Sequence, residues 1–190
     1  MWFLALFSFV LSVVLVGLSV FPGVLEQVPS DLRAIGGGAY GLLALGLASW
    51  RLLGPNRTGQ PRRRGTALVV LLCVVVTPLL LLTHTPRRIL FGQHQGEFEK
   101  LLEHAPQPGN RAVVPLNADL SVYWIDHWGT DARGGTYFRT VSGRADGRPD
   151  RRSFGFAYRP NPDGSPFGDT RYELAHLTGD WFSFSATDDR

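Results

Sequence analysis

The chain has 190 residues, one cysteine and a formal net charge of +3. The lone Cys73 excludes an internal disulfide and a cysteine-built metal site. Residues before His84 carry six arginines against Glu26 and Asp31, whereas those from His84 onward carry twelve arginines and Lys100 against fourteen acids, so the C-terminal part is nearly neutral and a basic nucleic-acid surface is excluded.

Residues 2–21 form an apolar run without a charge, about as long as a helix needs to cross a bilayer. No Lys or Arg precedes it, as a cleaved signal would require, so the pattern predicts a retained helix ended by Pro22-Gly23. A second span is expected over about 34–53. It is rich in Gly and Ala at four-residue spacing, and Gly37 and Gly41 are its candidate helix-packing positions, within the chain or between copies. The following loop, 51–64, carries Arg51, Arg57, Arg62, Arg63 and Arg64, and short basic loops stay cytoplasmic. A third apolar run, about 66–83, contains Cys73 and Pro78. These features predict a bacterial, multi-pass cell-membrane protein. Residues 1–83 form the membrane domain, with transmembrane helices at about 2–21, 34–53 and 66–83. The N-terminus is cytoplasmic, and residues 84–190 are an extracytoplasmic domain.

That domain is expected to be a small α+β unit. Phe98, Leu101, Leu102 and Ala105 recur at one helical face, and 106–109 stops the helix. From there the period changes to two. Strands are predicted at 111–116, 120–128, 136–142, 153–159, 172–177 and 181–186, with a Gly134-Gly135 turn, a turn at 161–164 and a tight hairpin turn at 178–180. Regular strands without a further helix imply one N-terminal helix packed on an antiparallel β-sheet meander.

No nucleophile elbow, phosphate loop or zinc motif occurs, so no catalytic residue, metal site or cofactor is expected. His94, Glu97 and His104 lie along the predicted helix and read as a solvated face. Asp126, His127 and Asp131 gather at the end of the 120–128 strand and in the loop after it, where polar groups beside a rigid sheet often act. Trp124 and Trp128, four apart, are expected to share a face of that strand. These five residues are the candidate interaction surface, since Trp and Arg recur in protein interfaces, although aromatic residues also build the cores of small sheets. The expected function is non-enzymatic: a membrane-tethered domain binding a partner protein or envelope ligand. Two alternatives remain. One is a membrane-anchored enzyme on an envelope substrate, using Asp126, His127 and Asp131. The other is an accessory subunit of a membrane complex.

Overall fold

The computed structural model describes residues 2–25, 38, 41, 46, 64–107, 113–140 and 152–187. The chain divides into two compact units, Met1–Ser19 with Glu26–Pro86, and Val20–Leu25 with Arg87–Arg190.

The described part of the first unit is two helices, α1 (Trp2–Ser19) and α2 (Arg64–Leu82). α1 is rich in Val and Phe and α2 in Val, both middling helix formers, so packing supports the pair more than propensity does. Val70 and Val74 of α2 bury against Ala5 of α1, while Ser8 and Thr77 are also buried. Ser19 Oγ closes α1 by donating to Val16 O at 2.7 Å. Thr83 Oγ1 does the same after α2, donating to Leu79 O at 2.8 Å, and His84 then takes a left-handed φ of 52°. That conformation ends a helix.

The expected transmembrane helices at about 2–21 and 66–83 are corrected, and with them the description of an integral membrane protein. Among the described residues no single helix is long and apolar enough to cross a membrane. The apolar helix Ala5–Ser19, at 1.5 Å per residue, covers about 22 Å of a hydrocarbon core about 30 Å thick. Leu68–Leu82 is no longer. It passes on length only together with Thr85–Leu102, across the break at His84, and that addition brings Arg87, Arg88, Glu97, Glu99 and Lys100. The second expected span, 34–53, lies outside the described residues except for Gly38, Gly41 and Gly46, which are helical.

The second unit holds helix α3 (Thr85–Leu102, from Arg87 onward) and six strands. These are β1 (Val114–Leu120), β2 (Tyr123–Thr130), β3 (Thr136–Thr140), β4 (Arg152–Tyr158), β5 (Thr170–Thr178) and β6 (Trp181–Thr187). They form one antiparallel sheet in the order β1-β2-β3-β4-β6-β5. The expected meander is thus corrected at its end. The connection at 159–169 carries the chain past one strand position, and the tight turn at Gly179 (φ 52°) folds β6 back into the gap between β4 and β5. The boundary between the first two strands also moves, because Ser121, at φ 60°, turns the chain where a continuous strand was expected.

Phe91 and Phe98, seven residues apart on α3, are fully buried on one sheet face. Phe91 lies 4.7 Å from Phe156, and Phe98 lies 5.4 Å from Phe138 and 5.8 Å from Trp181, centroid to centroid. Tyr123, Ile125, Trp128 and Leu177 complete this core. Burying one such ring contributes about 1.5–3 kcal/mol. Arg87 is buried beside this core, with Nη1 donating to Ser183 Oγ at 3.4 Å. Burial pushes the Tyr123 phenol up to about 12, against the opposing charge of Arg87.

The two rim strands are both irregular. β1 carries Pro115, loses register between Pro115 and Ala118, and has Asn117 at φ 49°. β5 loses register between Thr170 and Glu173 and again between His176 and Thr178. Arg88 Nε donates to His176 O at 2.9 Å.

Candidate functional site

The sheet face away from α3 is where the polar candidates gather. Pairing along the strands places His127, Arg139, Gly155, Phe184 and Leu174 in one row across five strands. A β-bulge between Ile125 and His127 sets the site. Ile125 pairs with Thr140 and His127 with Arg139, so Asp126 is the extra residue. Inserting one residue reverses the alternation and aims two neighbouring side chains at one partner. Here Asp126 and His127 both reach Arg139.

The contacts are close. Arg139 Nε donates to Asp126 Oδ1 at 2.9 Å and to Oδ2 at 3.1 Å, and Arg139 Nη2 donates to Asp126 Oδ2 at 2.6 Å. Nη2 also lies 2.8 Å from His127 Nδ1, which is itself 3.1 Å from Asp126 Oδ2. Burial works to raise the Asp126 carboxyl, but hydrogen bonds and charge from Arg139, aided by His127, outweigh it and hold the group below the usual carboxylate range. The Arg139 guanidinium stands 5.3 Å from the centre of the Phe167 ring, and Phe167 stacks at 14° on Phe184. A Cβ at Gly155 would run into the Phe138 carbonyl, so only glycine permits β3 and β4 to approach this closely beside Arg139.

Asp131 belongs to a different network. It is 5 % exposed, at the β2–β3 turn. Its Oδ1 accepts from Arg133 N at 2.8 Å and Gly135 N at 2.9 Å, and its Oδ2 accepts from Tyr137 Oη and from Asn161 N, both at 3.1 Å. Gly134 holds φ 89°, and a Cβ at Gly135 would fall 2.5 Å from Asp131 Oδ2, which explains the glycine pair. The Tyr137 hydroxyl also has Gly164 O and Tyr172 Oη within 3.1 Å, and accepts from Asn161 N at 2.9 Å. Burial, together with Tyr172 and Asp131, drives the Tyr137 phenol far above its ordinary value, and burial pushes Tyr172 up to about 12. This network fastens the 159–169 loop to the sheet. Every oxygen of Asp131 is occupied, so its role here is positional.

The expected group of Asp126, His127 and Asp131 is thus split between two hydrogen-bond networks. Trp124 and Trp128 are also separated. Tyr123 and Ile125 point to the α3 core, so Trp124 faces the other way and is 44 % exposed. Beyond the bulge the alternation is reversed, and Trp128 enters the core, 5.9 Å from Phe138. Gly41 has nothing within 4 Å of a built Cβ, its own helix aside, and Gly37 lies outside the described residues. Arg139 and Phe167 were not among the candidates. A lone arginine in the middle of the predicted 136–142 strand was the available signal for Arg139.

Among the described residues no group of three or more His, Cys, Asp or Glu is placed to hold a metal. His94 instead meets Ser121 Oγ at 3.2 Å, tying α3 to the β1–β2 turn, and His176 Nε2 meets Gly179 O at 3.0 Å. Compared with known protein families, curated proteins and solved structures, the chain matches none of them significantly.

Proposed function

We propose that the unit containing the sheet is a non-enzymatic binding module for a protein partner, docking on the sheet face away from α3 around Trp124, Asp126, His127 and Arg139. The observation that carries this is Trp124: a large indole exposed on the same face as a bidentate Arg–Asp pair. Trp and Arg are the residues that dominate protein interfaces when they sit near the centre of a contact. The Asp126–Arg139 pair is tied down before any partner arrives, which lowers the ordering cost of association. The charges are mixed, with Asp119 opposite Trp124 on β1 and Asp126 against Arg139 on β2 and β3, which suits the polar rim of a protein interface. The Asp126, His127 and Arg139 side chains bond to one another rather than converging on a shared space, which favours an extended contact over a small-molecule cleft.

The test is a photo-crosslinking amino acid at position 124, compared with one at the exposed Ile89 on α3, in cells producing the full chain. A discrete protein adduct from position 124 alone, lost on Arg139→Ala, is expected. Trp124→Ala should weaken binding of that protein at least tenfold without changing the far-ultraviolet circular dichroism. Equal adducts from both positions, or capture indifferent to Trp124→Ala, would dismiss the reading.

A further inference from the structure

The distances at His127 admit two arrangements of its proton, because Nδ1 lies within reach of both Arg139 Nη2 and Asp126 Oδ2. Arg139 always carries its protons. With Nη2 2.8 Å from His127 Nδ1, the neutral ring is assigned the Nε2–H form, in which the Nδ1 lone pair accepts from Arg139. In that state the 3.1 Å approach of Nδ1 to Asp126 Oδ2 joins two acceptors, bridged by the shared Nη2 donor. A proton on Nδ1 inverts both contacts. Nδ1–H then donates to Asp126 Oδ2, while the 2.8 Å contact with Nη2 becomes donor against donor and cation against cation.

We infer that His127 is a proton-operated switch on the Asp126–Arg139 pair: when protonated, it takes Asp126 Oδ2 from Arg139 Nη2 and moves the guanidinium over Phe167. The groups facing the ring leave this as the open route. On its own strand the neighbour is Asp126, and on β3 it is Arg139. β1 presents Pro115 opposite His127, and β4 presents Gly155 opposite Arg139, neither titratable. Farther along the same face, Asp119 on β1 pairs with Trp124. The 159–169 loop offers the Phe167 ring to Arg139. Arg139 keeps Oδ1 through Nε, 2.9 Å away, so the pair loosens from bidentate to single without breaking.

The inference concerns the free protein and stands whether or not the face binds a partner. It is tested by nitrogen-15 and proton NMR on the full chain from about pH 8 to 5. At the alkaline end the imidazole signals should show the Nε2–H form, and the Arg139 Nη resonances should be separate, as in a guanidinium held from rotating. On acidification those resonances should merge and the Phe167 ring signals should move, all with the midpoint of His127. His127→Gln should abolish the coupled change in Arg139 and Phe167. An Nδ1–H ring at pH 8, a His127 that takes no proton down to pH 5, or a titration that leaves Arg139 and Phe167 unmoved would each overturn the inference.

Discussion

The two faces of the sheet solve the covering problem differently. On one face α3 inserts two rings into a closely packed aromatic core, and recognition between the layers is almost wholly apolar. On the other, a short loop lays down one ring, Phe167, and relies on hydroxyl and carboxylate contacts through Tyr137, Tyr172 and Asp131 to stay in place. An apolar layer is stable wherever its area is removed from water, whereas a polar latch depends on each partner being present. The face held by the latch is therefore the one that can expose charge and an unpaired indole without losing the fold.

Breaking the apolar layer should have the largest effect. Phe98→Ala removes a fully buried ring and should lower unfolding free energy by about 3–5 kcal/mol, read from urea denaturation. A loss under 1 kcal/mol would mean that α3 contributes little to the fold. The latch should be weaker and local. Tyr137→Phe deletes the hydroxyl shared by Asp131, Asn161, Gly164 and Tyr172, and should cost about 1–3 kcal/mol. Amide exchange should accelerate in 159–169 more than in α3, and a uniform acceleration would remove the distinction between the faces. The smallest effect should come from Asp126. Its carboxyl is held below the usual range when folded, so its contribution is present above the unfolded carboxylate pKa of about 4 and is lost as pH falls through the lower folded value. Asp126→Asn should flatten the stability–pH profile in that acidic window and cost about 1 kcal/mol at neutral pH. A variant profile parallel to wild type would show that the pair does not stabilise the fold.

Local pattern made much of the second unit legible. The spacing of Phe98, Leu101 and Leu102 announced α3, and the alternation of Phe182 and Phe184 with serines announced β6. Strand order was not legible, because no local pattern says that β6 pairs with β4 as well as β5. At the site, Asp126 and His127 could be singled out by residue type. The bulge that aims them at Arg139 could not, and the same extra residue put Trp124 and Trp128 on opposite faces. The apolar runs at 2–21 and 66–83 indicated α1 and α2, and the side chains of Ser19 and Thr83 close them near the expected ends.

The irregular rims of the sheet bear on its behaviour at high concentration. A fibril grows when an incoming chain finds a long, flat ladder of free amides and carbonyls to copy. On β1 the ladder is interrupted at Pro115 and Asn117, and on β5 only Glu173–His176 stays in register, with Arg88 at its last carbonyl. Templated growth from either rim has only a few rungs to start on.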